Sequence, residues 1–378
     1  MSNLPRKQLF APIKVGAMSL KHRVVMPATS RLRARWPDGV PTDLMVEYYG
    51  QRATDGGLII AETSYVAPAG RPYPTGPGLY SEGQVDGWRR VVQAVHAKGG
   101  VIVAQLIHAG RLTSSATTGG LTPVTASVDP SFWTNGEIKV PVREGSGLSF
   151  EPPSPHRALL TAEIADVIGQ YRAAGQNAKH AGFDGVEVLA AQGHLISQFL
   201  SDSSNKRTDI YGGSIENRER LLTDTLDALI DVWGEGRVAV RIGPSSTYNG
   251  MDDSDPQSLY RHLAERLNEY ALSYLHIIEP RVLGPDTIAP TQGPVATADL
   301  RELFRGRIIA AGGFEPDTAE KAVVDGLADL IAFGRHFTSN PDLPSRIEHN
   351  YPLTPYDRSG FYGSDATAYT SFEPYNPT

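Results

Sequence analysis

The chain has 378 residues, 40% of them apolar, and a formal net charge of -7, which suits a folded protein with a sizeable core. The acidic balance argues against nucleic acid or an anionic membrane surface as partner. The absence of cysteine removes disulfides, cysteine-ligated clusters, thiolate zinc sites and cysteine nucleophiles together.

No run of eighteen apolar residues is present, so no membrane span is expected. The opening MSNLPRKQLFAPI lacks the apolar region of a signal peptide, and a cytoplasmic protein is the expectation. Apolar runs of the kind that fill buried parallel strands fall at 23–28, 58–62, 101–107, 184–188, 237–243, 274–278, 307–311 and 329–333. Segments of helical period lie between them at 83–97, 162–181, 215–233, 256–271, 295–304 and 316–326. Alternation with crossovers of this length means a parallel sheet, and the repeats predict an α/β fold, a single (β/α)8 TIM barrel over 1–378. An open doubly wound sheet is the alternative, but its Gly-rich fingerprint after a first strand is missing.

Two stretches break the even spacing. Residues 110–160, after the third strand, are rich in Gly, Ser, Thr and Pro and include Phe132, Trp133 and EIKVPVR. Connections of that length in a compact domain are lids or binding excursions, so a short hairpin capping the barrel mouth is expected. The tail, 349–378, is aromatic but aperiodic and is expected to drape over the barrel.

Chemistry in such a barrel sits at the carboxyl ends of the strands and in the loops that follow. Those positions hold Thr29, Ser30 and Arg31, then Glu62 and Thr63, then Gln105 and His108. Leu189, Gln192 and His194 are expected just past strand four, followed by Arg241, the pair Gly312 and Gly313, and finally Gly334 and Arg335. The late glycines let backbone N–H groups approach a ligand, and Arg335 offers a forked donor for phosphate oxygens. The same glycines also suit tight turns. A buried Arg241 needs a negative partner, either a ligand or a carboxylate inside the barrel. Gln105 has both donor and acceptor, as needed to read an imide-like edge such as that of a flavin. No strand end carries a Schiff-base lysine or a pair of metal-binding histidines. His108 and His276 read as structural histidines.

The segments LFAPIKVGAMSLKHRVVMPATSRLRA, EYYGQRATDGGLIIAET, AQLIHAGR, AGFDGVEV, SNKRTDIYGGSIENRERLL, VAVRIGP and DLIAFGRHFTSNPDLP resemble the Old Yellow Enzyme family over residues 8–372. The resemblance implies a barrel that binds FMN non-covalently and passes hydride from NADPH or NADH to an activated alkene. It assigns Ser30 to the hydroxyl site at flavin O4, with Ala28 and Thr63 on the same cofactor wall. Gln105 and Arg241 fall at the pyrimidine edge, and Gly313, Gly334 and Arg335 at the phosphate. Tyr362, in GFYG, falls at an aromatic position of the substrate cavity.

The departures lie after strand four. The family pattern is His-x-x-Asn or His-x-x-His followed by x-Tyr, where the first pair grips the substrate oxygen and the tyrosine supplies a proton. Here Leu189, Gln192 and His194 stand at those positions. Losing one donor to a developing oxyanion costs roughly 2.7–4 kcal/mol of transition-state stabilisation. Leu189 cannot donate, Gln192 can from one methylene farther out, and His194 is expected either as the acid or as a wall residue. Ile107 stands where the family has a bulky aromatic, and Thr29 and Ala28 replace its usual Leu and Pro, so a changed substrate pocket is expected.

The expected function is FMN-dependent reduction of electron-poor C=C bonds in enones, quinones or nitro compounds, by a monomer or homodimer with a small-molecule substrate. Two alternatives stay open. One is a specialised flavin-dependent desaturase, isomerase or reductase with poor activity on simple enones; the other is a flavin-binding protein without turnover.

Overall fold

A computed structural model describes residues 6–145, 147–284, 286–287, 293 and 295–377. Positions 1–5 and 378 of the expected domain, and Ser146 of the expected capping segment, lie outside the described residues. Eight strands close into a barrel in which every neighbouring pair is parallel. They are β1 (Val24–Met26), β2 (Leu58–Tyr65), β3 (Val101–Ile107), β4 (Gly185–Ala190), β5 (Val238–Ile242), β6 (Leu275–Ile278), β7 (Ile308–Ala311) and β8 (Leu330–Ala332). Pairing of Ile331 with Val24 joins β8 to β1 and leaves the sheet without an edge.

The helices include α1 (Asp43–Arg52), α2 (Glu82–His96), α3 (Thr161–Ala181), α4 (Arg220–Trp233), α5 (Pro256–Arg266), α6 (Thr297–Arg301), α7 (Pro316–Val324) and α8 (Leu343–His349), with shorter ones at Ser131–Thr134, Leu195–Leu200, Ile215–Arg218 and Gly334–Ser339. Helix α2 shows why they form where the period predicts. Ser81 and Gln84 close a capping box at its start, and Val85, Trp88, Val91, Val92 and Val95 bury one stripe. Helix α1 escaped the periodic reading because its buried face is Met45, Tyr48, Tyr49 and Arg52, which includes a cation. The predicted helix 215–233 is divided at Glu219, and 256–271 ends in a 3-10 turn over Leu267–Glu269.

Alternation along the strands sorts the core. Val24, Ile59, Ile102, Val186, Val240 and Ile277 point outward against the helices. Val25, Leu58, Ile60, Val103, Ala239, Ile309 and Leu330 point inward, where a hairpin of Ile13–Val15 and Met18–Leu20 packs against them from the amino-terminal end. The inner rows turn polar farther up, at Gln105, Glu187, Arg241 and His276.

The expected hairpin is present, with Val140–Glu144 antiparallel to Gly147–Glu151. The tail does drape, and buried arginines hold it. Arg31 donates to the carbonyls of Gly360, Phe361 and Ala368 at 3.2, 2.9 and 2.7 Å. Arg33 donates to Phe361 at 2.9 Å and Arg52 to Tyr369 at 3.2 Å, while Tyr369 stacks on Tyr48 with ring centroids 4.0 Å apart. Planar guanidinium forks suit this carbonyl-rich chain, and Glu62, fully buried, accepts the backbone N–H of Arg31 and Leu32. Glu62 is thereby a structural anchor of the β1 loop.

Candidate active site

The polar inner rows meet at one carboxylate. Gln105 Nε2 donates to Glu187 Oε1 at 2.6 Å, and His276 Nδ1 lies 2.9 Å from Glu187 Oε2. All three residues are at most 1% exposed. Burial raises the Glu187 pKa, yet His276, Arg241 and Gln105 outweigh it and hold the carboxyl below its ordinary value. Burial lowers the pKa of His276, which fits a neutral ring donating its Nδ1–H to the carboxylate. The register explains the meeting, because Glu187 pairs with Gln105 on one side and Leu189 with Arg241 on the other.

Above this layer a cavity of about 260 Å³ opens at the carboxyl ends of the strands. Ala28, Thr29, Ser30, Thr63, Gln105, Leu189, Gln192, His194, Arg241, Gly313, Gly334, Arg335 and Tyr362 all line it. Ser30 Oγ lies 3.1 Å from Thr63 Oγ1, and Arg335 Nη1 reaches the Tyr356 hydroxyl at 3.3 Å. Gly312 makes the turn after β7 possible, since at φ +141° an added Cβ would stand 2.8 Å from Glu279 and Val282.

Ile107 is a correction. It lies outside this wall, fully buried among Tyr65, Leu189, Ala191 and Ile278, and so acts behind Leu189. Leu189 itself falls inside β4 rather than beyond its end. His108 is buried away from the cavity, where Nδ1 accepts the Gly110 N–H at 3.0 Å.

The three unusual positions differ in what they offer. Leu189, 2% exposed, presents only methyl groups. Gln192 adopts φ +58°, a left-handed conformation rare outside glycine, asparagine and aspartate, and Asn249 Nδ2 holds its carbonyl at 2.8 Å. His194 Nδ1 is 3.1 Å from the Ala191 carbonyl, which can only accept, so Nδ1 carries the hydrogen. Burial pushes the His194 pKa down to about 4. At neutral pH its Nε2 is then a buried lone pair without a partner among the described residues, an acceptor and not an acid.

Residues that the sequence reading passed over complete the site. Glu187 was visible as a charged inward position in GVEV. Tyr73, Tyr248 and Tyr356 line the cavity from loops, where no periodicity marks them. The phenol of Tyr73 lies beside Ser30, and burial keeps it above the ordinary tyrosine range. His336 contributes to the wall near Arg335, with Nε2 3.3 Å from Glu315 Oε1.

The family model for the NADH:flavin oxidoreductase / NADH oxidase family matches residues 8–354. The chain belongs to that family. It is 39% identical to flavin oxidoreductase hxnT of Emericella nidulans, over 95% of both chains. It is 38% identical to 12-oxophytodienoate reductase 2 of Arabidopsis thaliana, over 98% of both. Among solved structures, morphinone reductase superposes with a TM-score of 0.90 at 40% identity, covering 99% of this chain and 97% of that one. An old yellow enzyme homologue from Zymomonas mobilis gives 0.89 at 36% identity, covering 97% and 99%. The Old Yellow Enzyme resemblance is thus a family membership, and the protein is an FMN-dependent NAD(P)H oxidoreductase.

The cavity fits FMN on its own chemistry. Arg241 Nε is buried without a hydrogen-bond partner among the described residues, and its Nη1 has only a 3.5 Å contact to the Ala28 carbonyl. A buried cation with unspent donors at a cavity floor calls for an electron-rich edge.

Proposed function

We propose that this oxidoreductase reduces the electron-poor C=C bond of a small molecule and grips it with phenols and the Gln192 amide instead of a histidine-led donor pair. The observation that carries this reading is Leu189 on the cavity wall beside a His194 whose Nε2 accepts. The relatives named morphinone reductase and 12-oxophytodienoate reductase support the reductase assignment.

FMN, when bound, would supply the hydride-transfer chemistry between NADH or NADPH and the substrate. Gln105 and Arg241 would hold its pyrimidine edge, Ser30 and Thr63, beside Ala28, the opposite carbonyl, and Gly313, Gly334 and Arg335 its phosphate. Thr29, Leu189 and Tyr362 would shape the substrate space. Donors aimed at the oxygen where charge develops do the polarising, and here these are Gln192 and the tyrosine hydroxyls. Tyr73 would hold the proton delivered to the substrate carbon, because its phenol stays protonated across the physiological range.

A specialised substrate carrying its own polarising group is the second reading, and the missing donor at Leu189 favours it. The test is to load the purified protein with FMN, reduce it with NADH or NADPH, and follow reoxidation by cyclohexenone, maleimide and quinones. Reoxidation by at least one alkene is expected; reaction with oxygen alone would end the reductase reading.

Among the described residues no helix is long and apolar enough to cross a membrane. A cytoplasmic monomer or homodimer remains our proposal.

A further inference from the structure

A buried arginine stands behind the loop that carries Tyr73. Arg71 lies just past the end of β2 and is 6% exposed. Its Nε donates to the Tyr73 carbonyl at 3.2 Å and its Nη2 to the Pro74 carbonyl. Its Nη1 reaches across to the Pro37 carbonyl, in the β1 loop, at 2.6 Å. The guanidinium also packs on two rings, 4.7 Å from the centroid of Trp36 and 5.2 Å from that of Tyr65, the last residue of β2. The Arg71 carbonyl accepts from the Thr113 hydroxyl at 2.6 Å.

A buried cation ordinarily has a counter-charge. The nearby acid, Asp38, is paired with Arg35, and among the described residues no carboxylate pairs with Arg71. Its donors are directed at loop carbonyls instead. The sequence Pro72-Tyr73-Pro74 explains why this matters. Proline fixes φ at 72 and 74, and Pro74 keeps Tyr73 extended. The two prolines have no N–H with which to fasten the segment, so the guanidinium supplies the donors. The result is a short stiff arm hung on the end of a barrel strand, and the Tyr73 phenol, beside Ser30, is its working end in the cavity.

We propose that Arg71 is a positioning residue for proton delivery, which aims the Tyr73 phenol by holding the carbonyls of its arm against β2 and the β1 loop. The proposal rests on Tyr73 as the proton source and adds the group that places it. A planar fork fixes direction as well as charge, which a lysine ammonium does not. Without the fork the ring drifts, and a displacement of 1 Å can cost about 10²-fold in rate.

The test separates the two half-reactions of the FMN-loaded enzyme by stopped flow. Hydride transfer from NADH or NADPH needs no proton from Tyr73, so Arg71→Gln and Arg71→Lys should be reduced at the unaltered rate, which also checks the fold. Reoxidation by the best alkene of the panel above should fall about tenfold or more in both. Arg71→Gln added to Tyr73→Phe should cost nothing further, because the arm then has no proton to aim. Trp36→Leu, which removes one ring and leaves the hydrogen bonds, should slow reoxidation in the same direction, and it carries the test if Arg71→Gln does not take up FMN. Position is read without turnover from 3-fluorotyrosine placed at residue 73: one sharp fluorine resonance in the unaltered enzyme, shifted and broadened when Arg71 or Trp36 is replaced. An unchanged resonance, full recovery with lysine, or independent losses in the double variant would overturn the proposal. A shifted resonance together with a Tyr73→Phe variant at full speed would refute the proton role and keep Arg71 as the residue that holds Tyr73.

Discussion

The amide of Gln105 is turned by Glu187. Because a carboxylate only accepts, the 2.6 Å contact commits an Nε2 hydrogen to Glu187 and leaves the Gln105 carbonyl oxygen for the cavity. Glu187 also balances the charge of Arg241, so one buried acid sets the polarity of the whole cavity floor. Replacing this acid by glutamine would be nearly isosteric, yet the new amide can donate as well as accept, and both functions would be lost.

Glu187→Gln is therefore expected to weaken FMN binding about tenfold, the scale of one hydrogen bond to a charged group. It should also raise the flavin midpoint potential, since Arg241 would favour the reduced, more negative cofactor without its counter-charge. Fluorescence titration of FMN and a spectroelectrochemical potential check both. Unchanged values would remove Glu187 from its positioning role.

The double change Leu189→His with Gln192→Asn should raise kcat/KM for cyclohexenone by about 10² or more, the scale of restoring an oxyanion donor. Asn suits the φ of +58° at position 192, because asparagine visits the left-handed region more readily than glutamine. Steady-state kinetics decide it, and no gain would mean that the grip does not depend on these two positions.

The pH profile separates Tyr73 from His194 as proton source. With the His194 pKa near 4 and the phenol above its usual range, kcat/KM should stay level from about pH 5.5 to 8.5. An acid at an ordinary histidine pKa, about 6.5, would instead lose activity as pH rises through it. Tyr73→Phe should lower kcat about a hundredfold, within the usual range for a general acid. A histidine-like profile with an active Tyr73→Phe variant would return the role to His194.

Buried histidines also set the acid stability. Burial lowers His22, His108 and His194 to about 4, while unfolded chains bind the proton near 6.5. The stabilisation is complete above pH 6.5 and is lost as pH falls from 6.5 towards 4. Each such group costs up to about 1.4 kcal/mol per pH unit in that window. Urea titrations at pH 7.5 and 5.0 should show a clearly lower midpoint at 5.0, and equal midpoints would contradict the buried neutral rings.

Local pattern was enough for most of the fold. Each strand announced itself as a short apolar run because both of its faces are buried, and α2 by a stripe of valines around Trp88. It failed at α1, where Arg52 packs inward on Tyr48 with 3.6 Å from its guanidinium carbon to the ring centroid. It also misjudged Ile107, since position along a strand says which face a side chain takes but not what stands in front of it.

By itself, then, the sequence determined the barrel, the family and the side chains offered at the strand ends, because periodicity and motif spacing are local properties. Tertiary structure alone decided that Glu187 meets Gln105 and His276 across separations of 82 and 89 residues. It decided that Tyr73, Tyr248 and Tyr362 converge at one mouth, and that the proton of His194 sits on the wrong nitrogen for an acid. Those outcomes depend on barrel closure, strand register and burial, which act between distant parts of the chain.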